Sequence, residues 1–144
     1  MKKEVLVSIS GLQYEIDKEE AVEVISAGKY YNRNGKHYVL YEEVLEDFAG
    51  TTSCTIEISD KKLDIIKRGL NNVHMIFEEN TKNTTFYHTP YGDLLVGIYT
   101  TLIRVKEEED KMVVDIEYSL DINYTQVSDC QIQIKITSRK QVEE

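Results

Sequence analysis

The C-terminal third of the chain alternates strictly between apolar and polar residues. Every second residue is apolar from Val114 to Thr125, and the segment Gln131 to Thr137 repeats this pattern after an interruption at Gln126 to Asp129. A period of two residues predicts strands with one buried face and one wet face. We therefore expect these two segments to form an antiparallel hairpin.

Upstream segments have the same strand character and bring the total to about ten strands. Short polar connectors separate them, among them Asn32 to Gly35, whose residues tolerate positive φ. The segment Asp17 to Ala27 fits a strand but has a glutamate-rich start that also fits a short helix. The upstream strands are predicted at 4–12, 21–31, 36–45, 51–58, 62–68, 73–78, 84–89 and 94–106.

This pattern predicts an all-β fold. Many antiparallel strands without a covering helix must bury their apolar faces by closing into a barrel or by packing two sheets together. We expect a closed meander barrel, with a β-sandwich as the alternative. The length of 144 residues predicts one domain over 1–144.

Composition narrows the partners and the location. A net charge of −9 disfavours nucleic acid, because binding a polyanion requires clustered Lys and Arg. The apolar stretches are too short for a signal peptide or a membrane span, so we expect a cytoplasmic protein without a membrane partner. Cys54 and Cys130 share the apolar parity of their strands, which favours buried free thiols over a disulfide.

The stretch TFYHTPYGDLL, residues 85–95, contains a histidine and two tyrosines that suggest a functional site, but it is better explained as a turn. In the sequence Thr89-Pro90-Tyr91-Gly92, proline is the second residue and glycine the fourth, which suits a type I turn at a hairpin tip. His88 stands one residue before this turn and has no neighbouring nucleophile or carboxylate arranged as a triad. We therefore assign no catalytic residue.

Other chemistry is weakly supported. The three histidines fall on separate predicted strands, and no Cys-x-x-Cys motif occurs, so we expect neither a metal nor another cofactor. Two arginines occupy positions that alternate in step with apolar residues. If those strand faces point inward, the arginines would place hydrogen-bond donors at a barrel mouth. If the arginines lie at strand ends, their side chains would instead reach water. Tyrosines would contact a ligand or simply fill the core. The candidate ligand-binding residues are Arg68, Arg104, Tyr87, His88, Tyr99, Tyr118 and Glu42.

Four segments together resemble the YwiB-like family of uncharacterised bacterial proteins, a domain-of-unknown-function family in the calycin or lipocalin-like superfamily. They are YVLYEEV (38–44), IIKRGL (65–70), YHTPYGDLL (87–95) and VVDIEYSL (113–120). The resemblance covers nearly the whole chain and implies a closed antiparallel barrel of lipocalin/calycin type with about 8–10 strands. It implies no catalytic residues, because the family has no assigned function.

The leading functional hypothesis is a barrel that binds a small apolar or amphipathic anionic ligand in its interior, with Arg68 or Arg104 receiving the anionic group. The alternative is a protein-interaction or structural module, monomeric or homodimeric, with a filled barrel and no ligand. An enzyme ranks third, because no nucleophile with a base and no pair of carboxylates is visible.

Overall fold

The fold consists of ten antiparallel strands. The computed structural model describes residues 3–11, 23–44, 51–69, 72–89 and 92–139. Its strands are β1 (Glu4–Ser10), β2 (Glu23–Arg33), β3 (Lys36–Val44), β4 (Thr51–Ser59), β5 (Lys62–Arg68), β6 (Val73–Glu78), β7 (Thr81–Thr89), β8 (Gly92–Glu107), β9 (Lys111–Ile122) and β10 (Thr125–Ser138). The described residues contain no helix, so none is long and apolar enough to cross a membrane. The all-β prediction is confirmed, and the part of the helix alternative before Glu23 lies outside the described residues.

The strands form a meander that closes almost completely. Each strand pairs with its neighbours in sequence, except that β6 and β7 share no ladder, and β1 also pairs with β10. At the gap, the backbone nitrogen of Asn80 donates to the carbonyl oxygen of Thr100 on β8, at 2.8 Å. The result is a nearly closed barrel, as predicted, and not a sandwich.

Alternation of side chains divides the barrel into a buried inner face and a polar outer face. On β4 and β9 every second residue is buried along nearly the whole strand. Inner side chains with no exposed area include Val39, Ile56, Ile65, Val114 and Ile134. Because no water-sized space touches these side chains, the middle of the barrel is filled by its own residues.

Two turns show what the sequence pattern revealed and what it did not. Asn34 and Gly35, with φ of 53° and 81°, form the predicted tight turn between β2 and β3. Asn123 and Tyr124 also have positive φ, 49° and 71°, and end β9 within the segment predicted as one long strand. Tyr124 continues the apolar alternation of the predicted strand, which would place it on the buried face, but the residue is 83% exposed.

β7 and β8 form the hairpin predicted around Pro90. Thr89 pairs with Gly92, and the ladder continues down both strands. Pro90 and Tyr91 themselves lie outside the described residues, so the type I turn stays a prediction. The predicted antiparallel pairing of the last two segments is confirmed. The break predicted at Gln126 to Asp129 corresponds to a register shift within β10, and the strand continues through it.

Candidate functional site

The side chain of Arg104 points away from the barrel interior, although its place in the alternating pattern predicted the inner face of the strand. Val96, Ile98 and Thr100 are inward and buried, but the register shifts between Thr100 and Leu102. A bulge adds one residue to one strand, so every later side chain changes face. Ile103 is consequently buried and Arg104 is exposed.

Arg68 is also exposed, at the end of β5. The predicted face, shared with Ile66, is the outer face of this strand. The inner face carries Leu63, Ile65 and Lys67, all buried. The cation that enters the barrel is therefore Lys67, one residue before the predicted arginine.

The remaining predicted residues do not form one site. Glu42 is exposed on the outer face of β3, and Tyr99 is 40% exposed on β8. Tyr118 is buried in the core, where its ring makes an edge contact with Phe77 at 5.1 Å between centroids. The backbones of Tyr87 and His88 lie near the end of β7, while their side chains lie outside the described part of the chain.

The two ends of the barrel carry different polar groups. We call the end where odd-numbered strands finish the upper end, and the end where they begin the lower end. In an antiparallel meander the odd-numbered strands all run in the same direction. The ends of β3, β5 and β7 therefore meet at the upper end.

An inward-facing polar group, the upper cluster, lies on β3, β4 and β5. Tyr41 pairs with Cys54, and Cys54 pairs with Lys67, so one row across three strands brings these side chains together. Glu43 and Thr52 form the next pair toward the upper end. The upper cluster thus consists of Tyr41, Glu43, Thr52, Cys54 and Lys67.

An ion pair is the main electrostatic feature of the upper cluster. The Nζ atom of Lys67 donates to Oε1 of Glu43 at 2.9 Å. The Lys67 side chain is 9% exposed and that of Glu43 is 24% exposed. Removing an ammonium group from water costs several kcal/mol unless partners compensate, so Lys67 depends on Glu43 and on its other neighbours in the barrel.

Cys54 lies beside this ion pair as a protonated thiol. Burial, followed by the negative charge of Glu43, raises the pKa of the Cys54 thiol to about 11, although the nearby Lys67 ammonium acts in the opposite direction. The Sγ atom donates to the carbonyl oxygen of Thr52 at 3.8 Å. A thiolate is the reactive form of cysteine, so this thiol is a weak nucleophile at neutral pH. Cys54 and Cys130 are both free and buried, as predicted.

A continuous apolar row forms the floor of the upper cluster. Val39, Ile56, Ile65 and Met75 pair in succession across β3 to β6, one inward position below Tyr41, Cys54 and Lys67. All four side chains are buried. Two residues of strand span about 7 Å, so the row of Tyr41, Cys54 and Lys67 lies about 7 Å above this floor.

A second polar group, the lower cluster, occupies the opposite end and consists of Tyr30, Asn32, His37 and Glu107. The Tyr30 hydroxyl is hydrogen-bonded to Nδ1 of His37, and Nδ2 of Asn32 donates to the same hydroxyl at 3.4 Å. Burial raises the pKa of Tyr30, the Asn32 hydrogen bond opposes this effect, and the charge of Glu107 adds to it. Nε2 of His37 lies 3.9 Å from Glu107.

Neither cluster has the composition of a metal centre. Within the described residues, no group of three or more His, Cys, Asp or Glu side chains is arranged to hold a metal ion. The upper cluster contains an ammonium group that makes a charge-assisted hydrogen bond to one carboxylate.

The fold and these clusters define a small antiparallel β-barrel domain with polar ends. The family described as "Domain of unknown function (DUF1934)" matches residues 7–134, and the chain belongs to it. The chain is similar to the crystal structure of ywiB protein from Bacillus subtilis, with a TM-score of 0.72 and 18% identity over 95% of this chain and 91% of that one. At this identity the likeness shows the fold alone. No curated protein matches the chain.

The expected resemblance to the YwiB-like family is confirmed, and the family has no assigned function. The upper cluster was missed, although one signal for it is present in KLDIIKR, residues 62–68. Ile65 and Ile66 place an apolar residue on each face of the strand, so neither face is obviously the inner one. Asp64, however, lies on the same face as Arg68, and this favours the opposite face, with Lys67, as the inner face. That choice would have placed Lys67 inside the barrel.

Proposed function

We propose that the protein binds a compact acidic ligand at the upper end of the barrel, where the Lys67 ammonium group receives the ligand's carboxylate or phosphate. The observation that carries this proposal is the inward-facing, 9% exposed Lys67 side chain directly above an apolar floor. A lysine is rarely buried without specific partners, of which Glu43 is one, and its ammonium group donates to acidic oxygens.

Packing of the barrel limits the size of this ligand. The floor formed by Val39, Ile56, Ile65 and Met75 leaves no space for a long chain to pass into the middle of the barrel. The ligand therefore enters the upper end only, to a depth of about 7 Å, the length of two strand residues. This differs from a carrier that holds a long apolar tail inside its barrel.

Native mass spectrometry of the protein purified from cells, compared with Lys67→Met, tests the proposal. Methionine keeps the length of the side chain but removes its charge. We expect the unmodified protein to carry a small acidic molecule that Lys67→Met lacks. Lys36→Met is the matched control, because Lys36 pairs with Glu57 at 3.9 Å on the outer face and should retain the ligand.

A second measurement tests for binding even if the protein loses its ligand during purification. Acetate, propionate and inorganic phosphate are titrated into both proteins while backbone amide shifts are followed by NMR. Saturable shifts at Cys54 and Lys67, absent from Lys67→Met, support the proposal. Equal binding to Lys67→Met contradicts the proposal, as does the lack of any response to these probes and to glycine, whose carboxylate has an ammonium group beside it. Circular dichroism confirms that the variants are folded.

One observation supports a second candidate function, association with another copy of the chain. A groove of about 720 Å³ crosses the outer face of β1 to β4 and includes Ile25, which is 64% exposed, and Leu40. Lys29 and Glu42 also line it, so two copies related by a two-fold axis would bring opposite charges together. Sedimentation velocity of the protein and of Ile25→Glu tests this, since a dimer that the substitution leaves intact does not use the groove.

The wider placement of the protein is also part of the proposal. The ten-strand meander supports membership of the calycin superfamily, whose barrels have the same up-and-down order. A cytoplasmic location agrees with two free, buried cysteines, because reducing compartments preserve thiols. Fractionation of the producing cells tests the location directly.

A further inference from the structure

The charges of the upper cluster indicate more about the ligand than its acidic group, provided that the proposed function is correct. Lys67 and Glu43 carry opposite charges and lie 2.9 Å apart. Cys54 is protonated at neutral pH, because burial raises its pKa to about 11. Tyr41 and Thr52 are uncharged, so the five residues of the upper cluster together carry no net charge.

A purely anionic ligand would fit this charge distribution poorly. It would compete with Glu43 for the Lys67 ammonium group and leave the displaced carboxylate beside a second negative charge. Glu43 is 24% exposed and would be only partly compensated by water. Like charges that are partly removed from water repel strongly, so the unpaired Glu43 would reduce the affinity for a simple anion.

A ligand that carries both charges avoids this loss. Its acidic oxygen takes the place of Glu43 at Lys67, and its ammonium group takes the place of Lys67 at Glu43. The four charges then alternate around a small ring, and both protein groups keep a charge-assisted hydrogen bond. Because Lys67 and Glu43 are already in contact, the ligand's acidic and ammonium groups must also be close together.

We propose that the upper cluster recognises a compact zwitterion of the α-amino acid class, with Lys67 binding its carboxylate and Glu43 its ammonium group. An α-amino acid carries the two groups on the same carbon, which meets the requirement for adjacent charges. The apolar floor keeps the amino acid's side chain out of the middle of the barrel.

Calorimetric titration with three probes of one carbon skeleton tests this proposal: valine, isovalerate, which lacks the ammonium group, and isobutylamine, which lacks the carboxylate. We expect valine to bind about tenfold tighter than isovalerate, which corresponds to one charge-assisted hydrogen bond. Isobutylamine should bind more weakly still. Glycine, alanine and phenylalanine, titrated in the same way, define the size of side chain that the mouth accepts.

Two variants separate the roles of the charged residues. Glu43→Gln keeps the shape of the side chain but removes its charge, so the preference for valine over isovalerate should fall to about one. Lys67→Met should lose both acidic probes. Glu57→Gln, which changes a carboxylate of the outer-face pair with Lys36, is the matched control and should leave all affinities unchanged.

The outcomes distinguish this inference from the proposed function. Equal affinity for isovalerate and valine would overturn the zwitterion proposal and leave an acidic ligand at Lys67 intact. Binding of isobutylamine as tightly as valine would contradict both, because Lys67 would then contribute nothing. If none of the amino acids binds while the acidic probes do, the zwitterion proposal is wrong and the proposed function stands.

Discussion

The upper and lower clusters differ in how their inward-facing polar side chains are paired. Both place polar side chains inside a barrel whose middle is apolar. In the lower cluster, Tyr30, Asn32 and His37 satisfy one another through hydrogen bonds, and the only formal carboxylate, Glu107, is 58% exposed. In the upper cluster a lysine with a 9% exposed side chain is paired with a carboxylate inside the barrel.

This difference is the reason for proposing a structural role for the lower cluster and a binding role for the upper one. Buried groups that satisfy one another through hydrogen bonds cost little net free energy, and they hold neighbouring strands in register. A buried ion pair is often no more stable than apolar residues of the same volume, so stability alone does not account for it. The upper cluster is therefore the better candidate for binding.

The largest effect concerns pH and Cys54. The unfolded thiol loses its proton near the ordinary pKa of 9.0, whereas the folded thiol keeps its proton until about pH 11. Its contribution to stability is therefore complete below pH 9.0 and is lost as the pH rises toward 11. We expect a loss of about 2–3 kcal/mol over this interval, since each pKa unit corresponds to about 1.4 kcal/mol.

Urea unfolding across this pH range measures the effect. Other groups also titrate there, so the informative quantity is the difference between the protein and Cys54→Val, which has no thiol. The free energy of unfolding of the protein should fall more steeply with pH than that of the variant. Parallel curves would show that the upper cluster does not perturb this thiol.

The second effect concerns the hydrogen bonds of the lower cluster. Tyr30→Phe keeps the buried ring but removes the hydroxyl that His37 and Asn32 contact. We expect a loss of about 1–2 kcal/mol, because a buried polar atom without a partner is destabilising. Urea unfolding at neutral pH measures it, with Tyr99→Phe as the control, since the Tyr99 side chain lies on the outer face. Equal stability of the two variants would argue against a structural role for the lower cluster.

We expect the smallest effect on stability from removing both charges of the Lys67–Glu43 ion pair. The double substitution Lys67→Met with Glu43→Leu removes both charges together, so that neither is left unpaired. We expect the free energy of unfolding to change by less than about 1 kcal/mol or to increase. A loss larger than that caused by Tyr30→Phe would mean that the ion pair is the structural element and would reverse the contrast between the two ends.

Much of the fold was predictable because strand signals are local. The alternation in QIQIKIT and the tight turn at Asn34 and Gly35 were both interpreted correctly, since side-chain parity and positive φ depend on only a few residues. The turn at Asn123 and Tyr124 was missed, because tyrosine is not a residue that ordinarily signals positive φ. The alternation of apolar residues continued across this turn and concealed it.

The candidate site was less predictable, because it depends on which face of each strand points inward. The register shift near Thr100 reversed the face of Arg104, and two consecutive isoleucines concealed the inward position of Lys67. Tyr118 was correctly placed on an apolar face, but the structure surrounds it with core residues such as Phe77. Its role in ligand binding stays a prediction.

The formation of about ten antiparallel strands, each with one buried face, follows from the amino-acid pattern alone, because the two-residue period and the turn residues act over short distances. Which side chains meet depends on how the strands pair in three dimensions. Tyr41, Cys54 and Lys67 are far apart in sequence and become neighbours through the hydrogen-bond register of β3, β4 and β5. Register and bulges belong to pairs of strands, so the pattern within one strand does not contain them.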